Sequence, residues 1–222
     1  MVTQRLKRNS MKLTLTYFDF PFWRAEVSRL ALFIGGVDFT DHRPSREEFQ
    51  ALKESGVLPF GQLPTIEVDG ARYAQSIAIA RFCGQLAGLY PKDDLIAGLR
   101  VDELLDAMNE LNYSLYPSMR EQDPERKQTL RAIFSSEVLP KWLRSIEARL
   151  LSNEESSYLV GAQMTIADLA LWRVNTWLTS GILDGVPTTV LNAYPALHKH
   201  CELVARHPKV IEWIHRSPSS GQ

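Results

Sequence analysis

Three short stretches carry groups suited to holding or activating a small anion. Ser76 stands between a strand pattern and the apolar-periodic run Ile77 to Ala87, so it is expected to cap that helix. Its hydroxyl and the backbone N–H groups of the first turn would then form a site for a carboxylate. Leu63, ahead of Pro64, can offer its backbone N–H and C=O to an extended peptide as an added strand would. Tyr17 closes the first strand pattern with a phenolic O–H that can donate to an anion, although a lone tyrosine there is more often a half-buried anchor. Cys83 and Cys201 form neither a CxxC pair nor a metal-ligand spacing, so free thiols in a reducing compartment are expected, and no metal.

The chain of 222 residues is long enough for two small domains. With 45% hydrophobic and 23% charged residues it has the balance of a soluble globular protein rather than a disordered one. Lys plus Arg number 25 against 26 Asp plus Glu, so no global field recruits nucleic acid or an anionic membrane. Any bound anion must be met by local donors. No apolar run approaches the roughly 18 residues that a membrane-spanning helix needs. Residues 1–11 read as a flexible tail: Arg5, Lys7 and Arg8 stand without an acid, and the apolar centre of a secretory signal is missing. A tail before an alternative start at Met11 is the preferred reading, and a very short mitochondrial presequence is the alternative.

The elements that must position these groups follow from periodicity. Leu13, Leu15 and Tyr17 alternate with Thr14 and Thr16, giving a strand over 12–18. Val27, Leu30, Ala31 and Ile34 recur with helical spacing and stop at Gly35-Gly36. A second strand is expected over 37–43, then a short helix opened by the Ser45–Glu48 capping box. Thr65 to Val68 reads as a strand, and Asp69-Gly70 as a hairpin turn leading to Arg72-Tyr73-Ala74. The helix from Ile77 completes a β-α-β-α-β-β-α unit over 12–88. A polar break over 89–95 separates it from an all-helical domain over 96–218. In that domain Asp123-Pro124-Glu125 opens one helix, Pro140 should kink it, and Thr165 to Asp168 forms a second capping box. The run Ile166 to Leu178, apolar almost all round, is expected at the centre of a helical bundle. Thr165 and Asp168 read as folding elements, and shorter helices are expected after Pro195 and Pro208.

Several motifs stand in one order: Leu15-Thr16-Tyr17-Phe18, Arg24-Ala25-Glu26, Gly61-Gln62-Leu63-Pro64, Val68-Asp69-Gly70, Gln75-Ser76-Ile77-Ala78-Ile79 and Thr165-Ile166-Ala167-Asp168. Together they resemble the cytosolic glutathione transferases, and most of all the sigma-type branch that includes glutathione-dependent prostaglandin D synthases. The likeness runs from Lys12 to about Pro218. It departs in the loop Asp19 to Arg24, which is one residue longer than usual and has Trp23 where a glycine is common. Phe49 replaces a frequent Trp, and Gln62 stands where some members have Lys.

The resemblance implies a thioredoxin-like first domain followed by an all-α helical bundle, glutathione as cosubstrate, no metal, and a cytoplasmic homodimer active in detoxification. It implies that Tyr17, with Arg24, is catalytic, the phenol donating to the glutathione sulfur. A hydrogen bond to the charged form lowers a thiol pKa, and the thiolate is the nucleophile. Glutathione itself would be held by Tyr17, Arg24, Phe49, Lys53, Gly61, Gln62, Leu63, Pro64, Gln75 and Ser76, with Glu110 reaching across from a partner subunit. The resemblance also suggests a cis Leu63–Pro64 bond. Phe60 would dock into the neighbouring subunit. Phe22, Trp23, Tyr113 and Tyr116 are candidates for an electrophile pocket, although such aromatics are as often core. A transferase acting on a hydrophobic electrophile is the leading expectation. A glutathione-dependent isomerase or peroxidase is the first alternative, and a non-catalytic binding or structural protein of the same fold is the second.

Overall fold

The computed structural model describes residues 11–216, so nearly all of the anticipated basic tail and the Ser-rich end from Ser217 lie outside the described residues. The chain forms two compact units: residues up to 92 together with those from 208 onward, and residues 93–207.

In the first unit the elements are β1 (Leu13–Thr16), α1 (Trp23–Ile34), β2 (Thr40–His42), α2 (Arg46–Glu54), β3 (Thr65–Val68), β4 (Ala71–Ala74) and α3 (Ser76–Ala87). The sheet runs β2-β1-β3-β4, with β1 parallel to β2 and antiparallel to β3, and β3 antiparallel to β4. Leu13, Leu15 and Ile66 leave the sheet for the core, where they join Val27, Leu30 and Ala31 of α1 and Ile79 and Cys83 of α3. The two helices converge at their ends: a Cβ on Gly35 would lie 2.5 Å from the Cα of Ala87, so only glycine fits there. Asp69 and Gly70 both take positive φ, 49° and 87°, which is the two-residue hairpin turn that their types predict.

Both sequence-based strand limits were generous. β1 ends at Thr16 because the carbonyls of Tyr17 and Phe18 accept from the Arg29 guanidinium, at 3.1 and 3.2 Å, in place of a strand partner. β2 covers three residues rather than seven.

The second unit holds α4 (Leu95–Ser114), α5 (Tyr116–Arg120), α6 (Pro124–Ile133), a π-helical turn over Phe134–Val138, α7 (Leu139–Leu151), α8 (Ile166–Leu178), a 3-10 turn over Val190–Ala193 and α9 (Pro195–Ala205). Asp94 and Asp123 cap α4 and α6 through backbone N–H groups of the first turn. The kink expected at Pro140 takes the form of the π-helical turn before α7: a proline cannot donate to the ladder, and its ring crowds the carbonyl four residues back. α8 packs against α4 and α9 with Ile166 to Trp172 buried without a break.

The last helix, α10 (Pro208–Arg216), begins at the expected proline but belongs to the first unit. The expected helical domain over 96–218 thus includes a last helix that clusters by contact with the first unit. Trp213 of α10 lies 5.2 Å from Phe33 of α1, ring centroid to ring centroid, and donates its indole N–H to Glu26 at 2.5 Å. The interaction that draws α10 to α1 is carried by tertiary partners and is not visible in local periodicity.

Candidate active site

Strand register gathers the candidate residues of the first unit. Thr16 pairs with Thr65 across β1 and β3, Thr65 pairs with Ala74 across β3 and β4, and Thr16 pairs with His42 of β2. Tyr17, the Leu63–Pro64 pair and Gln75-Ser76 each lie one or two residues beyond those positions, at the same end of the sheet. The Leu63–Pro64 bond is cis, as anticipated, and Pro64 is buried.

Tyr17 is 5% exposed. Its backbone N–H donates to the His42 carbonyl at 3.1 Å, and its ring meets those of Phe18 and Phe20 at 5.6 and 5.4 Å. Phe49 of α2 stands edge-on to Phe18 at 5.1 Å, so an aromatic cluster supports the tyrosine. The long loop before α1 is tethered by Arg43, which pairs with Asp19 and with Asp41. Burial works against the charge on Arg43, but hydrogen bonds to these two carboxylates outweigh it and raise its pKa above the ordinary value.

Arg24 lies in the first turn of α1, half-buried, with its guanidinium 5.8 Å from the Trp23 ring centroid. Trp23 itself is the first residue of α1 and only 3% exposed, with no partner for its indole N–H among the described residues. It is buried at the start of α1, where the sequence offered it as a candidate for an electrophile pocket. Phe22 is half-buried, 6.1 Å from Phe20 ring to ring. In the second unit, Tyr113 is exposed and meets the half-buried Tyr116 at 5.1 Å, and Arg120 lies over Tyr116.

Lys53, exposed at the last turn of α2, has its Cε 3.9 Å from where a Gly61 Cβ would stand, so the ammonium and the Gly61-Gln62 loop are neighbours. Gly61 takes φ 62°, closed by its N–H donating to the Leu58 carbonyl at 3.0 Å. Ser76 is the first residue of α3 rather than its cap. The cap position belongs to Gln75, held at φ 77° and ψ 114°, and its side chain makes no capping bond. Ser76 is buried and Gln75 exposed. Glu110 is exposed on α4, and Phe60 is 64% exposed on the loop before Gly61.

One residue beside the site was missed. Arg29 is fully buried, and its guanidinium lies 5.9 Å from the Tyr17 ring centroid while donating to the carbonyls of Tyr17 and Phe18. Its charge is met by Asp41 at 2.9 Å and Glu26 at 3.4 Å. The available signal was a Glu–Arg pair at i, i+3 set among the apolar positions of α1.

The cysteines take no part. Burial pushes the Cys83 thiol up to about 12 and the Cys201 thiol to about 11, so neither forms a thiolate at neutral pH. A cavity of about 470 Å³ in the second unit, bordered by Asn153, Ser156, Lys199 and His200, contains none of the candidate residues. Strand register, rather than this cavity, is what brings together the groups that could do chemistry.

Comparison with known proteins identifies the family. Residues 13–85 match the family described as glutathione S-transferase, N-terminal domain, and residues 109–217 match glutathione S-transferase, C-terminal domain. The chain belongs to the glutathione S-transferase family. It is 32% identical to glutathione S-transferase 1 of Ascaris suum over 211 residues, covering 93% of this chain and 97% of that protein. Among solved structures, prostaglandin synthase D of Nilaparvata lugens superimposes with a TM-score of 0.81 at 28% identity, covering 93% of this chain and 98% of that one. A monomeric glutathione S-transferase from the hookworm Necator americanus superimposes at 0.78 and 29% identity, covering 95% and 100%.

Proposed function

We propose that this glutathione transferase binds glutathione at the β1–β3–β4 end of the sheet and attacks a hydrophobic electrophile with the thiolate. The observation that carries the reading is the strand register, which sets a phenol, a cis-proline peptide and a helix start side by side. Leu63 pairs with the peptide backbone of glutathione, and the Gln75-Ser76 start of α3 takes the γ-glutamyl carboxylate with help from the helix dipole. Lys53 and the Gln62 amide meet the glycyl carboxylate beside Gly61, with Phe49 and Pro64 walling the cleft.

Tyr17 donates its O–H to the sulfur. A donor that prefers the thiolate makes the thiol more acidic, and a tenfold gain in acidity corresponds to about 1.4 kcal/mol. Arg24 adds positive potential in the first turn of α1. The thiolate then displaces a leaving group or adds to an activated double bond, forming a carbon–sulfur bond. Phe22, Tyr113 and Tyr116 are the aromatic candidates for holding the electrophile. The working unit is a homodimer in which Glu110 and Phe60 serve the partner's site. Its role is detoxification in the cytoplasm.

A second reading has specific support, because one structural neighbour is named a prostaglandin synthase. An isomerase would use the same thiolate and return glutathione unchanged. Retention on immobilised glutathione tests the binding site. Conjugation of a chloro-aromatic acceptor, with glutathione counted before and after, separates the two reactions. A protein that passes through the resin and shows no conjugation would defeat the proposal.

A further inference from the structure

Glu26 and Arg29 face each other on the buried side of α1, and each spends its remaining bonds outside the helix. Arg29 can donate five hydrogen bonds and accept none. Its donors go to Glu26, to Asp41 of β2, and to the successive carbonyls of Tyr17 and Phe18. Glu26 is 3% exposed, and its second oxygen accepts from the Trp213 indole of α10 at 2.5 Å. The Trp213 ring rests on Phe33, over which Lys209 and Arg216 also lie, at 5.3 and 5.2 Å. A continuous polar chain therefore runs from the C-terminal helix through Trp213, Glu26 and Arg29 to the backbone of the tyrosine.

We infer that Trp213 is a positioning residue for Tyr17, acting through Glu26 and Arg29. The inference rests on the reading of Tyr17 as the thiol's hydrogen-bond donor. A buried carboxylate and a buried guanidinium tolerate few arrangements, because each must satisfy its bonds without water. With the indole N–H in place, Glu26 is held from both sides, and the fork of Arg29 is aimed at the carbonyls of residues 17 and 18. Without it, the carboxylate relaxes toward another donor and the guanidinium follows. The tyrosine then loses the hold of Arg29 on its carbonyl, while its N–H keeps the His42 carbonyl. The phenol has to meet sulfur within a few tenths of an ångström, so a small displacement at its backbone is enough to weaken that bond. Among the described residues, the ionisable groups around this chain include Glu26, Arg29 and Asp41, with Arg43 and Asp19 behind Asp41 and Lys209, Arg216 and their partner Glu212 on the α10 side.

The test is Trp213→Phe in the full chain, which keeps a ring against Phe33 and removes only the donor. In ligand-free protein labelled at the tyrosine Cζ, the Tyr17 resonance, assigned by its loss in Tyr17→Phe, is expected to shift. With glutathione bound, the ultraviolet signal of the thiolate should appear at higher pH than in the wild type. kcat should fall about fivefold while glutathione affinity stays within about twofold, since the clamp groups are untouched. Glu26→Gln, which keeps an acceptor for the indole and so keeps α10 docked, should also move the Tyr17 resonance. If both variants leave that resonance and the thiolate titration where they are and lower only the melting temperature, Trp213 is a structural strap and the inference is overturned. Failure of the functional reading would look different. The wild type would then give no thiolate signal with glutathione, while the Tyr17 resonance would still decide whether the chain positions the residue.

Discussion

At Ile166 the first turn of α8 is capped by the side chain of the preceding Thr165, whereas at Ser76 the first turn of α3 follows a residue that provides no side-chain cap. Asp168 takes the N–H groups of Leu159 and Thr165 at 2.8 and 2.7 Å, the Thr165 hydroxyl at 3.1 Å and His200 Nε2 at 2.8 Å. Thr165 in turn accepts from the Ala167 N–H. At α3 the cap residue is Gln75, at positive φ and without a capping bond. A helix start leaves about four N–H groups that need partners. In α8 those partners come from within the chain, and the result is a fixed core. In α3 the chain holds back its side-chain cap at the end of the sheet where Tyr17 and Leu63–Pro64 also lie, which suits a ligand that brings its own carboxylate. The difference separates a helix start closed by its own side chains from the one proposed above to take a ligand's carboxylate.

Asp168→Ala attacks the first kind and should have the largest effect. It leaves several buried donors and a buried imidazole without their acceptor, at a cost of about 3–5 kcal/mol in denaturant unfolding. Glutathione affinity of the folded fraction should be unchanged. Thr165→Ala, which removes the cap hydroxyl, should cost about 1–2 kcal/mol and again leave affinity alone. At the second kind the pattern should reverse. Ser76→Ala should weaken glutathione binding by about 2 kcal/mol in calorimetric titration, since a bond to a carboxylate is lost. Because Ser76 is not the cap, its melting temperature should hardly move. A large drop in stability with intact affinity would make the two starts alike and remove the distinction.

Tyr17→Phe probes the chemistry that the open helix start serves. Glutathione should still bind, while conjugation falls about 10-fold, equivalent to about 1.4 kcal/mol of lost donor interaction. The sign of the pH effect follows from the same bond. The wild-type donor favours the thiolate, so removing it raises the thiol pKa and moves the rising limb of the rate profile to higher pH. A profile that stays in place would exclude the phenol as the activating group.

What the sequence revealed about these two regions was whatever chemistry is local. Both capping boxes, the Asp69-Gly70 turn and the proline helix starts could be read because their partners lie within four residues. The family motifs also pointed to the cis Leu63–Pro64 bond. Three features could not be read. Gln75 displaced Ser76 from the cap because the chain leaving β4 needs a positive φ there, and no residue type advertised it. Trp23 is buried, a matter of which way the first turn of α1 faces. The links of Arg29 to Asp41 and of Glu26 to Trp213 span 12 and 187 residues, beyond any periodicity. The sequence named a candidate set of residues, and the buried framework beside them was not legible in it.

The smallest expected effect tests the cap residue directly. Gln75 occupies a backbone region that side chains disfavour, at a cost of about 1–3 kcal/mol for a non-glycine residue. Glycine would relieve that cost but would add freedom to the unfolded chain, which takes back about 0.4–1 kcal/mol. Gln75→Gly should therefore raise stability by about 1 kcal/mol, near the middle of what these two ranges leave, seen as a melting temperature higher by about 2–4 °C for a chain of this size. If the carboxamide also contacts glutathione, affinity should fall in the same variant. Stability and binding would then move in opposite directions at one position, as expected where backbone strain is kept for a ligand. The Thr165→Ala result, with stability falling and binding constant, is the contrast. Should Gln75→Gly leave both quantities unchanged, the positive φ carries neither strain nor function, and the α3 start differs from that of α8 only in lacking a cap.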